Sequence, residues 1–193
     1  MTGRVVLQWL MTTHVVLLRG INLGKTNRVP MARLRQVLTD AGCTRVRTLI
    51  ASGNVVLDHP GKPDAVSTLV HDAIADEWGL DIPALTRTAA SLRKVLAHNP
   101  IDGADQDPKH YAVTFLSTPA PAATLEPLGL DADPSPFPGE HAVLTRGELY
   151  TWTPEGIHKS RLLRALGRLP ALHGTARNWD TVRRLADLAE EGD

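Results

Sequence analysis

The sequence predicts an α+β fold made of two ferredoxin-like halves, each a βαββαβ unit with a trailing helix, together forming one compact unit. Three observations predict it. Strand-length apolar runs and helical-period segments occur in the same order twice along the 193 residues. Each half carries a hairpin glycine, Gly53 and Gly147, and these stand 94 residues apart. The last strand of each half ends at an arginine, Arg87 and Arg177, 90 residues apart. A capping residue follows each arginine (Thr88, Asn178), then apolar residues at matching offsets (Leu92 with Val182, Val95 with Leu185). The organisation expected is an upstream extension over 1–11, poorly ordered, a first half over 12–100, a linker over 101–109 and a second half over 110–193.

The elements follow in order. His14 to Leu18 is a continuous run suited to a central strand buried on both faces. Pro30 opens a helix with Met31, Leu34, Val37, Leu38 and Ala41 on one stripe. Val46–Ala51 and Val55–Leu57 are strands joined through Ser52-Gly53-Asn54, a glycine-asparagine hairpin signal. A second helix starts at Pro63, and Ile82–Thr86 is the fourth strand. Thr88 caps a third helix, which Asn99-Pro100 stops. Ile101 to Pro108 is rich in Asp, Gly and Pro and reads as a linker.

The pattern then restarts. Tyr111–Leu116 is a strand, Ala122–Leu128 a weak helix and Gly129–Gly139 a proline-rich loop. A hairpin turns at Arg146-Gly147-Glu148. A helix carries Leu162, Leu163 and Leu166, a short strand ends at Arg177, and Asn178 caps the last helix. Tyr111 and Phe115 share one strand, Tyr150 and Trp152 another; core packing is the expected use of these four rather than base stacking.

Composition narrows the function. Twenty-one basic and 21 acidic residues balance, which argues against a general nucleic-acid or membrane-surface binder. No apolar run reaches the roughly 18 residues of a membrane span. The single cysteine, Cys43, cannot form an intrachain disulfide and suits a reducing cytoplasm as a buried apolar side chain. No cofactor and no metal are expected, since the histidines lack paired ligand spacing.

Several stretches carry candidate chemistry. Gly20-Ile21-Asn22-Leu23-Gly24-Lys25-Thr26 resembles a phosphate-binding P-loop but has three residues between its glycines instead of four, and its helix begins later, at Pro30. A looser anion loop and a plain structural turn remain as readings. Ser52 lacks a nucleophile elbow, and Asp131 and Asp133 sit in a loop without the other calcium ligands. The strongest constellation is basic and amide: Arg19, Asn22, Ser52, Asn54, Arg87, Arg146, Arg177 and Asn178. The hairpin and the end of the fourth strand are expected at one end of each sheet. Ser52 and Asn54 should then approach Arg87, and Arg146 should approach Arg177. Arg19 and Asn22 are expected at the opposite end. The alternative use of the arginines is pairing with carboxylates such as Asp180.

Arg19-Gly20-Ile21-Asn22, Ser52-Gly53-Asn54 and Arg177-Asn178-Trp179-Asp180-Thr181-Val182 stand in the order seen in DUF1697 proteins, and from about Thr12 to Leu188 the chain resembles that bacterial family. The resemblance implies a duplicated ferredoxin-like α+β fold and no assigned activity. It also implies a Ser-Lys pair before the last strand, where this chain has Lys159-Ser160-Arg161. The function expected is binding of a small anionic ligand, a nucleotide or phosphorylated metabolite, at the Arg/Asn-rich strand ends. The alternatives are a homodimeric interaction domain without a ligand, through an exposed sheet edge or face, and an enzyme acting on phosphoesters.

Overall fold

Strand β1 (Thr12–Leu18) is buried without a break from His14 to Leu18, as its apolar run requires of an inner strand. The structure, a computed structural model, describes residues 11–191. Apart from Met11, the expected upstream extension lies outside the described residues.

Around β1 is a four-stranded sheet in the order β2 (Thr44–Leu49), β3 (Asn54–His59), β1, β4 (Ala84–Thr88), with every neighbouring pair antiparallel. Val16 and Leu18 of β1 and Val55 and Leu57 of β3 pack in one cluster with α1 (Met31–Asp40) and α2 (Pro63–Trp78). Leu34 and Leu38 come from α1, and Val66, Val70 and Ile74 from α2, each at helical spacing. Cys43 lies in the same cluster, 1% exposed, and burial pushes its thiol up to about 11. Helix α3 (Ala89–His98) begins at Thr88, whose Oγ1 accepts the Ser91 N–H at 3.1 Å.

The second sheet runs β6 (His141–Leu144), β7 (Glu148–Trp152), β5 (Tyr111–Leu116), β8 (Gly174–Asn178), again antiparallel throughout. Leu116, Leu144 and Leu149 form its core cluster with Leu162 and Leu166 of α4 (Arg161–Leu166). The weak helix expected at 122–128 is a 3-10 helix with those bounds, Ala122–Leu128, with Pro127 inside it. Tyr111, Phe115 and Tyr150 are fully buried, the core role expected of them. The last helix, α5 (Trp179–Glu190), buries Trp179, Val182, Leu185, Ala186 and Ala189, the stripe read from its periodicity.

The chain is thus mixed α+β with two four-stranded antiparallel sheets and helices. It divides into two compact units, one reaching to Arg93 and resuming at Arg184, the other Lys94–Arg183. The stretch read as a linker, 101–109, buries Ile101 and Ala104 around a 3-10 turn, Ala104–Gln106. Its Asp/Gly/Pro composition marks a packed turn.

The two hairpin glycines are not equivalent. Gly53 has φ +84°, and a Cβ there would meet the Leu18 Cβ at 2.8 Å and the Ile21 side chain at 3.1 Å. At Gly147 the φ is not in the left-handed region and a Cβ would meet open space. Gly53→Ala should therefore lower stability by about 2–3 kcal/mol in denaturant unfolding, combining left-handed strain with overpacking. Gly147→Ala should change it by less than about 0.5 kcal/mol. Equal effects of the two would contradict the geometry.

His14 is fully buried; its Nε2–H donates to the His59 carbonyl at 3.2 Å, and Nδ1 is buried without a partner among the described residues. Burial holds its pKa below the ordinary value, partly offset by backbone bonds at His59 and Gly61 and by Asp58. The unfolded chain therefore takes up this proton first as pH falls through about 6.5. Stability due to neutral His14 is complete above that pH and declines below it, by at most about 1.4 kcal/mol per unit. Chemical unfolding of the native protein and His14→Gln between pH 7.5 and 5 should show the steeper loss in the native protein.

Candidate functional site

The loop from Arg19 to Pro30 leaves the end of β1 as a small secondary hairpin. Asn22 N–H donates to the Asn27 carbonyl at 2.9 Å, and Thr26 N–H to the Leu23 carbonyl at 3.1 Å, closing a turn over Gly24-Lys25. Two asparagines hold this backbone. Asn22, at φ 52°, donates from Nδ2 to the Val29 carbonyl (3.0 Å) and the Ala51 carbonyl (2.8 Å), while its Oδ1 accepts the Val29 N–H (2.9 Å). Asn27, at φ 48°, donates to the Gly20 carbonyl at 3.0 Å. Asparagine tolerates this left-handed backbone better than other non-glycine residues.

The neighbouring hairpin is tied by its own amide. Asn54 is fully buried; its Nδ2 donates to the Leu49 carbonyl at 3.1 Å and to Ser52 Oγ at 3.0 Å. Leu18 N–H donates to the Gly53 carbonyl at 2.8 Å, so β1, its loop and the hairpin form one edge. Asn22, Ser52 and Asn54, read from the sequence as candidates for a ligand, take part in the bonds that hold these turns.

Register corrects the expected arrangement. Because β1 pairs antiparallel with β3, Leu17 lies opposite Asn54, and the loop carrying Arg19 and Asn22 joins Ser52 and Asn54. Arg87 lies opposite Val15, three residues back from Leu18, or about 10 Å along the strand. The register thus sets Arg87 back toward the other end of the sheet from the hairpin, where the sequence reading had the two level. The Arg87 Nη1 donates to the Thr86 carbonyl at 3.2 Å. The second unit repeats the correction. Arg146 sits exposed in the turn beyond Leu116, whose N–H donates to the Gly147 carbonyl, whereas Arg177 pairs with Val113 further back. Burial lowers the Arg177 guanidinium to about 10, so it stays charged at neutral pH, and its Nη1 donates to the Ala176 carbonyl at 2.8 Å. Asn178 caps α5, accepting the Thr181 N–H at 2.9 Å.

The cationic side chains exposed at the β1 edge are Arg19, Lys25 and Arg28, and Leu23 (67%) and Ile50 (51%) are exposed there too. Arg28 Nη1 reaches the Gly24 carbonyl at 3.3 Å. Lys25 and Arg28 were not among the candidates read from sequence. Lys25 was visible as the cation of the glycine-bearing loop; Arg28 had no motif to mark it. Ser160, the resemblance's serine, is buried as the cap of α4: its Oγ accepts the Leu163 N–H at 2.9 Å. Lys159 beside it is exposed, 3.7 Å from Glu155.

Known proteins place the chain as follows. The profile of a family described as "Protein of unknown function (DUF1697)" matches residues 11–150, nearly three quarters of the sequence. The chain belongs to the DUF1697 family. The match takes in the β1 loop and both hairpins; the Arg177–Val182 motif lies beyond it. The structure is also similar to that of the conserved bacterial protein SP0830 from Streptococcus pneumoniae, with a TM-score of 0.71 at 21% identity. That likeness covers 93% of this chain and 99% of the other, and it concerns the fold. No curated protein matches the sequence. Among the described residues no helix is long and apolar enough to cross a membrane.

The Asn22 bonds predict a specific defect. Asn22→Ala removes three hydrogen bonds at once and should cost about 2–3 kcal/mol in denaturant unfolding. The Val29 amide should exchange faster with solvent out of proportion to that loss. Asn22→Asp keeps the acceptor for Val29 N–H and should protect that amide better than Asn22→Ala does.

Proposed function

We propose that this DUF1697 protein binds a small anionic ligand, a nucleotide or phosphorylated metabolite, at the β1 edge through Arg19, Lys25 and Arg28. The observation that carries this reading is the division of labour in the loop. Asn22, Asn27 and Asn54 hold the backbone, and three cations extend from that fixed frame into solvent. Cations on a preorganised loop lose less entropy on meeting an anion than cations on a mobile one. The exposed turn around Gly24-Lys25 adds backbone N–H groups of the kind that surround phosphate. The overall charge balance favours a small ligand over a polyanion.

The reading includes a duplication. Matching strand orders, β2-β3-β1-β4 and β6-β7-β5-β8, support two ferredoxin-like copies, over 12–100 and 110–193. On that view Arg146 is the second copy's counterpart of the hairpin edge and an additional anion contact. Cys43, buried and unpaired, fits a reducing cytoplasm. The second reading is a homodimer, favoured by the exposed Leu23 and Ile50 at the same edge.

Thermal unfolding with phosphate, nucleotides and sugar phosphates tests the first reading. A ligand at 100 times its Kd should add about 2.7 kcal/mol, several degrees in Tm. Arg19→Ala with Arg28→Ala should abolish the gain, and Arg87→Ala should leave it. No gain with any phosphate, or a gain indifferent to Arg19 and Arg28, refutes the reading. A concentration-dependent dimer lost on Leu23→Ser would favour the second.

A further inference from the structure

The aromatic row of the second sheet has one member outside the core. Alternation along β7 puts Tyr150 and Trp152 on the same face, and the register sets them against Val113 and Tyr111 of β5. Tyr111 and Tyr150 are buried, and the Tyr150 hydroxyl donates to the Val95 carbonyl at 3.3 Å. Trp152 is only half-buried, its indole meeting the His110 ring edge-on at 6.4 Å. On β6, beside it, opens a groove of about 620 Å³. That volume is in the range of small-molecule sites.

The chemistry of the groove is one-sided. Ile101 and Leu130 supply apolar wall, and Asp102, Asp131 and Glu140 supply carboxylates. No lysine or arginine lines it; His141 is its remaining titratable side chain. The three acids are not alike. Glu140 accepts the Leu162 N–H at 2.7 Å, the Arg161 N–H at 3.3 Å and the Ser160 hydroxyl at 3.1 Å, so its charge is committed to the start of α4. Asp102 and Asp131 are exposed and make no salt bridge among the described residues. An aromatic side chain in the lining, with two carboxylates outside any salt bridge among the described residues and apolar wall, suits a cation that carries a hydrocarbon body.

We infer that this groove binds an organic ammonium ion, its head against the Trp152 ring and its charge balanced by Asp102 and Asp131. The inference stands apart from the anion reading, whose Arg19, Lys25 and Arg28 lie in the other unit and whose Arg146 does not line this groove. Such a cation reaches the groove either as a free amine or as a lysine side chain of a peptide, and both arms belong in the test. Choline and N-acetyl-lysine methylamide are titrated into ¹⁵N-labelled protein while the Trp152 indole N–H signal is followed. The uncharged choline isostere 3,3-dimethylbutan-1-ol serves as control.

A saturable shift is expected with at least one cation and little with the alcohol. Asp131→Asn and Trp152→Leu should each weaken binding by about fivefold or more. The cation that binds tighter identifies the source. Asp131 lies in an exposed loop, so its variant keeps the question decidable if Trp152→Leu does not fold. No saturable shift with either cation, an equal response to the alcohol, or affinity unchanged in Asp131→Asn overturns the inference.

Discussion

The carboxamide of Asn22 is the interaction on which the first unit's β1 edge depends. It joins three backbone groups from two segments far apart in sequence, two at Val29 and one at Ala51. Its bond to the Ala51 carbonyl ties the chain between β1 and α1 to the β2–β3 hairpin. With it, the loop cannot drift from the hairpin, and Gly53 must remain small enough for Leu18 and Ile21 to lie against the turn. The close approach and the amide clamp are one arrangement: the tight contact brings the carbonyls within reach, and the amide satisfies them.

Much of the fold was legible because it is written in local signals. The buried run of β1, the stripes of α1, α2 and α5, the caps at Thr88 and Asn178 and the hairpins around Gly53 and Gly147 each follow from periodicity or turn chemistry. Two local signals were less complete. Asp, Gly and Pro over 101–108 read as a linker, and the stretch also buries Ile101 and Ala104. Apolar spacing over 122–128 read as a weak helix, and the turn there is of the 3-10 kind.

The candidate site was less legible, for a different reason. Which end of a sheet a residue occupies depends on strand direction and register, and neither is encoded in the residue itself. Antiparallel pairing of β1 with both β3 and β4 sends Arg19 to the hairpin and Arg87 away from it. Nor does sequence separate an amide that awaits a ligand from one that fastens a turn. Asn22, Asn54 and Asn178 have the residue type of a binding site and the bonding of structural locks. Lys25 and Arg28 gained interest only when the structure showed them exposed on the loop that Arg19 opens.

Cys43 has a practical corollary. The chain's one thiol is 1% exposed and holds its proton to about pH 11, so almost no nucleophilic thiolate is present under ordinary conditions. For labelling chemistry the native protein is in effect cysteine-free. A Gly147→Cys substitution, at a turn where a side chain meets open space, would give a single attachment point for a fluorophore or spin label without disturbing the native cysteine.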